Sequence, residues 1–172
     1  MLFRSGYIVQ NPARNLVNVK VPYRKRKALN MEEVELLREA CRSEREKAMF
    51  ELMVSAGIRA EEVSTAKITD VNWEERTLIV IGKGNKERKV IFSTRTKMFL
   101  QNYLRNRKSC SVYLFIASKK PYANLSTRSV EREVKQITAR TNIERSVYPH
   151  LCRHTFANTS ANQNMKDRKS VV

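Results

Sequence analysis

The sequence lacks any apolar run of about 18 residues, the length that a membrane-spanning helix needs, and it does not open with a signal-peptide pattern. It has only three cysteines, Cys41, Cys110 and Cys152, and no Cys-x-x-Cys pair. An odd number of widely spaced cysteines is typical of reduced thiols and argues against a zinc site or a disulfide framework. These absences predict a cytoplasmic protein that uses no metal ion or other cofactor.

Acidic residues are also scarce: 17 Asp and Glu stand against 34 Lys and Arg, which gives a formal net charge of +17. The imbalance is uneven along the chain. Residues 31–80 carry twelve acids and seven bases, whereas residues 81–120 carry one acid and eleven bases. This distribution predicts one basic face, which suits the phosphates of nucleic acid. The alternative is a Lys-rich surface without a polyanionic partner.

Residues 1–27 are predicted to form an arm or linker. Asn11-Pro12 and Val21-Pro22 interrupt any continuous helix, and the segment ends in a run of four basic residues. Helical patterns then begin after Asn30 and at Ser43, each with a glutamate three residues on, as in a capping box. The hydrophobic content of 41% is enough for one domain with a packed core.

The middle of the chain changes from helical to strand periodicity. Its β-rich segments are 68–73, 77–81 and 88–92. They predict a three-stranded antiparallel meander with turn residues at 82–85. Helical patterns return at 94–107, at 126–141 and from Pro149 onward. The predicted fold class is therefore α+β, mostly helical with a small antiparallel sheet.

The helix over 44–56 is predicted to bury one face and to stop at Gly57. Its apolar positions are Met49, Leu52, Met53 and Ala56. For the helix over 94–107, the residues expected to face inward are Met98, Phe99, Tyr103 and Leu104.

Three segments contain residues that could carry chemistry. Arg59 lies two residues after the helix stop at Gly57 and is expected to need an anion, or else to pair with Glu62 and brace the turn. Lys83 lies at the tip of the hairpin between two glycines, where the alternative is a plain exposed turn. The spacing is not that of a P-loop.

The third segment is a His-x-x-Arg motif, His150 and Arg153, which lie on the same face of a helix. Two adjacent cationic side chains repel each other, so a shared anionic ligand is the simplest reason for placing them together. His154 is expected to form a structural hydrogen bond and not to bind a metal ion, because no other ligand has matching spacing.

Taken in order, an Arg, a Lys in a hairpin and a His-x-x-Arg motif resemble the catalytic domain of the tyrosine recombinases, the phage and transposon integrase family. The resemblance covers residues 28–160 and is most specific in GIRAEEV, VIGKGNKERKV and HLCRHTFAN. It implies the fold of DNA breaking-rejoining enzymes, with residues 28–172 as the catalytic domain. Residues 1–27 would then be the end of the preceding core-binding domain and its basic linker.

Members of that family cut DNA by attack of a Tyr hydroxyl on a phosphodiester, without metal or ATP, and form a 3′-phosphotyrosine. The resemblance assigns Arg59 and Arg153 to the non-bridging oxygens and Lys83 to protonation of the leaving 5′-oxygen. His150 would accept the proton of the nucleophile or bind the phosphate, and Glu62 would orient the first arginine. Backbone phosphates would be contacted by Lys86, Arg88 and Lys89.

The sequence departs from the family pattern after the His-x-x-Arg motif. The family continues with a Leu-Gly-His segment and then the Tyr nucleophile, whereas the last of the six tyrosines here is Tyr148. We expect a truncated recombinase domain that binds double-stranded DNA, is inactive in cleavage and self-associates through uncovered apolar surface. The alternative is a non-catalytic DNA-binding or regulatory protein with the same half-fold.

Overall fold

The structure is a computed structural model that describes residues 27–82 and 84–169, with side chains up to residue 161. The helices of the described part are α1 (Met31–Glu39), α2 (Glu44–Ala56), α3 (Ala60–Thr65), α4 (Thr94–Asn106), α5 (Thr127–Thr138) and α6 (Pro149–Lys169). Its strands are β1 (Val71–Asn72), β2 (Thr77–Gly82) and β3 (Lys86–Ile91). The predicted α+β fold is confirmed. The predicted arm over 1–27 lies outside the described residues except for Lys27.

Both predicted capping boxes are present. The side chain of Asn30 accepts a hydrogen bond from the backbone N–H of Glu33 at 2.7 Å, and the Glu33 carboxylate accepts the backbone N–H of Asn30 at 2.8 Å. Ser43 and Glu46 form the same reciprocal pair at the start of α2. Each box satisfies two backbone donors that a helix start otherwise leaves without a partner, so it fixes where the helix begins.

Helix α2 is the central helix of the domain. Its predicted apolar face is buried, and so are further residues of the helix, including Phe50, Glu46 and Glu51. The two carboxylates are paired with Arg140 and Arg38, respectively. The predicted buried face is therefore confirmed, and charged partners on other elements allow glutamates of the same helix to be buried as well.

The predicted antiparallel meander is confirmed in the order β1–β2–β3. Strand β2 pairs with β3 from Thr77 opposite Ile91 to Gly82 opposite Lys86. Strand β1 is shorter than predicted, because Ile68–Asp70 forms a 3₁₀ turn. The Asp70 carboxylate accepts the backbone N–H at position 67 at 3.1 Å, and this local bond competes with strand pairing.

Helix α4 lies within one residue of its predicted range, and three of the four residues expected to face inward do so: Tyr103 is buried, and Phe99 and Leu104 are partly buried against the core. Met98 is 60% exposed, whereas Thr96 and Leu100 are buried. The hydroxyl of Thr96 hydrogen-bonds to Ser55 at 2.7 Å, so a polar residue is satisfied inside the core. The expected inward position of Met98 was therefore wrong, since the helix turns a hydrogen-bonded threonine toward α2.

The first described residues are tied to distant parts of the chain. Arg145 donates hydrogen bonds to the carbonyl oxygens of Lys27, at 2.6 Å, and Ala28, at 2.8 Å. The backbone N–H of Leu29 donates to the hydroxyl of Thr155 on α6 at 3.0 Å. Residues 27–29 are therefore fixed against the loop that precedes α6 and against α6 itself.

The described residues include no helix that is both long and apolar enough to cross a membrane. The same residues contain no group of three or more His, Cys, Asp or Glu side chains that could hold a metal ion. The cysteines are unpaired, with Cys41 and Cys152 buried and Cys110 exposed.

Candidate functional site

The bend between α2 and α3 positions Arg59. Gly57 ends α2 in the left-handed conformation, with φ +59°, as the sequence predicted. Two residues later Arg59 caps α3, and its backbone N–H donates to the Glu62 carboxylate at 2.7 Å. This bond satisfies a donor at the helix start, so the short connection holds the arginine at a defined place.

Glu62 is buried, with 2% of its side chain exposed, and accepts hydrogen bonds from two arginines. Nη1 of Arg59 lies 3.0 Å from Oε1. Arg88 binds both carboxylate oxygens, at 2.6 Å and 2.9 Å. Arg59 therefore pairs with Glu62 and braces the turn, which was one of the two expectations. Its side chain is nevertheless 44% exposed and keeps other N–H groups for a ligand.

Arg88 was expected, from the family resemblance, to contact backbone phosphates, and its pairing with Glu62 was not predicted. The strand register pairs it with Val80, whose side chain is buried, so both lie on the inner face of the sheet. The signal was present in the two-residue alternation from Val90, which is partly buried and packs against the core.

Arg153 reaches the same region from α6 and donates a hydrogen bond to the backbone carbonyl of Gly57. Burial lowers its pKa, as do the positive charges of Arg59 and Arg88, while Glu62 acts in the opposite direction. Two guanidinium groups thus bind the Glu62 carboxylate, and the third, that of Arg153, is close enough to feel their charges. This excess of positive charge in a partly buried place favours the binding of an anion.

His150 and Arg59 line one cavity, whose volume is about 630 Å³. The imidazole is exposed and forms no hydrogen bond with any residue in the described ranges. Arg153 lines a neighbouring groove together with Arg88. The Arg88–Glu62 ion pair connects the two, since the glutamate lines the cavity and the arginine lines the groove.

Lys83 lies outside the described residues. Both of its chain neighbours, Gly82 and Gly84, line the cavity that contains Arg59. A Cβ atom placed on Gly82 would lie 3.9 Å from Nη1 of Arg59 and 3.8 Å from Oε1 of Glu62. The turn end of the hairpin therefore lies next to the ion pair of Arg59 and Glu62.

His154 is exposed on α6, and it forms no hydrogen bond with the residues that the structure describes. The structural hydrogen bond expected of it is thus missing, because its side chain points away from the domain.

Comparison with known protein families shows to which family this chain belongs. Residues 27–170 match the model of the phage integrase family. This chain belongs to the phage integrase family. The resemblance inferred from GIRAEEV, VIGKGNKERKV and HLCRHTFAN is confirmed.

Among curated members of the phage integrase family, tyrosine recombinase XerA of Pyrococcus horikoshii is 34% identical over 151 residues. The match covers 87% of this chain and 52% of the relative, so the chain spans about half the length of that protein. A crystal structure of XerA recombinase superposes with a TM-score of 0.74 at 29% identity, and covers 87% of this chain and 55% of the other.

The integrase of transposon Tn1549, solved in complex with transposon right end DNA, shares the fold of this chain. The TM-score is 0.70 at 16% identity, over 84% of this chain and 56% of that protein. The helical domain with a small sheet described above is therefore the fold of tyrosine recombinases, as the sequence predicted.

Proposed function

We propose that this chain binds double-stranded DNA as the phosphate-binding part of a tyrosine recombinase catalytic domain. The observation that carries the proposal is that Arg59 and Arg88 bind the single carboxylate of Glu62, while Arg153, hydrogen-bonded to Gly57, adds a third positive charge near them. A guanidinium group donates in a planar fork that fits two phosphate oxygens. The net charge of +17 supplies long-range attraction to a polyanion.

Within this proposal, Arg59 and Arg153 hold the non-bridging oxygens of one DNA phosphate and stabilise negative charge that develops there. His150 lines the Arg59 cavity and serves as a proton acceptor or a further phosphate donor. Lys83 protonates the leaving 5′-oxygen. Its place in the sequence between Gly82 and Gly84, which line the same cavity, supports this role.

We further propose that the 172-residue chain, on its own, does not cleave DNA. The reaction of this family requires a Tyr hydroxyl as nucleophile, and no tyrosine of this sequence follows the His-x-x-Arg motif. Tyr148 precedes His150 by two residues and is already engaged in contacts of its own.

The binding proposal is tested by fluorescence anisotropy of a labelled short duplex at several salt concentrations. Arg153→Ala should weaken binding about tenfold, the scale of one lost charge-assisted contact. Arg95→Ala is the matched control, because Arg95 is 54% exposed on α4 and its nearest carboxylate oxygen is 3.9 Å away. Equal affinities of the two variants at every salt concentration would mean binding by bulk charge, as in the regulatory alternative.

The cleavage proposal is tested with a nicked duplex and a denaturing gel. Salt-sensitive binding without a covalent protein–DNA adduct is the expected result. An adduct would show that one of the six tyrosines attacks the phosphate, and mass spectrometry of the adduct would identify which one.

Self-association is also part of the proposal. The groove beside Arg153 has an apolar lining that includes Val90, Phe156 and Ile91, the last of which is 68% exposed. Covering such a surface is favourable in water. Sedimentation velocity should show dimers that become more abundant as the protein concentration rises. Ile91→Lys should shift the distribution to monomer, and a parent chain that stays monomeric would overturn this part.

A further inference from the structure

Arg88 and Arg59 share one buried carboxylate unequally. Arg88 donates to both oxygens of Glu62, at 2.6 Å and 2.9 Å, whereas the side chain of Arg59 donates only Nη1, at 3.0 Å. The backbone N–H of Arg59 uses a second position on Oε2, at 2.7 Å. The two oxygens of Glu62 thus accept four hydrogen bonds, which is the full capacity of a carboxylate.

The ion pair also joins two separate elements of the site. Glu62 belongs to α3, and Arg88 belongs to β3, only five positions after Lys83 along the hairpin. The arginine is 32% exposed and the glutamate 2%. A partly buried ion pair with a bidentate fork is more strongly oriented than an exposed pair. It therefore fixes the middle of strand β3 against α3, the helix capped by Arg59.

Without Arg88, the negative charge of Glu62 would neutralise the positive charge of Arg59. If the carboxylate had only one arginine, that arginine would be drawn to both of its oxygens and largely neutralised. Because Arg88 binds both oxygens, Arg59 is held at one N–H and its other donors stay available. Removing the charge of Arg88 would reduce the surplus of positive charge around Glu62.

We propose that Arg88 is a positioning residue of the phosphate site, which acts through Glu62 and not by contact with the phosphate. It neutralises the buried carboxylate so that Arg59 presents its guanidinium to the ligand, and it anchors the hairpin that carries Lys83. This inference rests on the proposed function, since the ligand is the phosphate that Arg59 and Arg153 bind.

The experiment measures the affinity of inorganic phosphate at constant ionic strength, by NMR of the arginine side-chain Nε–Hε signals in the full 172-residue chain. The variants are Arg88→Met, Glu62→Gln and the double variant. Arg95→Met removes the same charge from an exposed position and is the control. Circular dichroism and thermal unfolding establish that each variant is folded.

Arg88→Met should bind phosphate about tenfold more weakly, in the range of coupling measured for groups in direct contact. The double variant should recover to within about twofold of the parent, because the carboxylate that Arg88 neutralises is then uncharged. A double variant as weak as Arg88→Met would overturn the proposal, since Arg88 would then contact the phosphate itself. Arg88→Met that binds as tightly as Arg95→Met would also overturn it.

Two further measurements keep the test decisive. If Arg88→Met does not fold, Arg88→Lys takes its place, because it keeps the charge but loses the bidentate fork, and about threefold weaker binding is expected. Without phosphate, the Nε–Hε signal of Arg59 should shift in Arg88→Met and not in Arg95→Met. That signal reports the rearrangement around Glu62 even if the parent binds no phosphate. Absence of phosphate binding by the parent would contradict only the proposed function.

Discussion

The guanidinium of Arg153 donates a hydrogen bond to the backbone carbonyl of Gly57, which lies 96 positions earlier in the sequence. Gly57 is also the residue whose left-handed conformation sends the chain toward Arg59. One bend therefore sets the place of two arginines on different helices. Phe156, one turn after Arg153, packs directly on this glycine and closes the contact between α2 and α6.

Replacing Gly57 should destabilise the domain strongly. An alanine Cβ would lie 2.3 Å from Cδ1 of Phe156, and the residue would have to keep φ +59°. Strain of a side chain in the left-handed region and overpacking together predict a loss of about 3 kcal/mol in the free energy of unfolding for Gly57→Ala. Chemical denaturation measures this loss.

Gly84→Ala provides the control, because Gly84 has φ +77° but no atom within 4 Å of the new Cβ. It should cost only the backbone strain, about 1 kcal/mol. Equal losses for the two variants would show that the packing of Phe156 on Gly57 contributes nothing.

The Glu46–Arg140 pair predicts a loss of stability in acid. Burial raises the pKa of Glu46, but hydrogen bonds from Arg140 and from backbone N–H groups outweigh it, and the net pKa is lowered from 4.5. Because the folded state holds this proton less tightly than the unfolded state, its stabilisation is present above pH 4.5 and is lost as the pH falls through the folded-state pKa.

Glu46→Gln should therefore lower the free energy of unfolding by about 2 kcal/mol near neutral pH, and by progressively less in acid. Glu44→Gln is the control on the same helix, since Glu44 is exposed and hydrogen-bonds to Asn106. Urea titrations across the acidic range should give parallel curves for the control and parent. A penalty for Glu46→Gln that does not change with pH would contradict the assignment.

The three cysteines should differ sharply in reactivity. Burial raises the pKa of both Cys41 and Cys152 to about 12, and the thiolate is the reactive form. Cys110 is exposed. Iodoacetamide should modify one cysteine of the folded protein and three after denaturation, counted by mass spectrometry. Rapid labelling of Cys152 in the native chain would mean that α6 is not packed as described.

The inner face of α4 gives a simpler test. Thr96→Val removes a buried hydroxyl that hydrogen-bonds to Ser55 and Ser93, and should lower the free energy of unfolding by about 1–2 kcal/mol. Met98→Gln changes an exposed side chain and should leave stability within about 0.5 kcal/mol of the parent. A larger loss of stability for Met98→Gln would show that Met98 faces inward, as the sequence predicted.

Local signals in the sequence were sufficient for the starts of α1 and α2, the hairpin and the helix stop. Asn30, Ser43 and Gly57 each act through neighbouring backbone groups, so their effects can be predicted from a few adjacent residues. The fold and the family followed from these signals and from the order of the three motifs.

What the sequence could not show depends on pairs of distant charges. Glu46 and Arg140 are 94 positions apart, so nothing local reveals that α2 is buried on several sides. Arg88 and Glu62 are 26 positions apart, and a basic hairpin reads as solvent-exposed until strand register assigns its faces. Long-range ion pairs leave no periodic trace in the sequence.

The anchoring of residues 27–29 has a mechanical consequence. Arg145 holds the carbonyls at 27 and 28, and Leu29 is bonded to Thr155, two residues beyond Arg153 on the same helix. A pulling force applied to the chain ahead of Lys27 would therefore act on the loop before α6 through Arg145, and on α6 through Thr155. Because α6 carries His150 and Arg153, that force would act on the helix that positions both site residues.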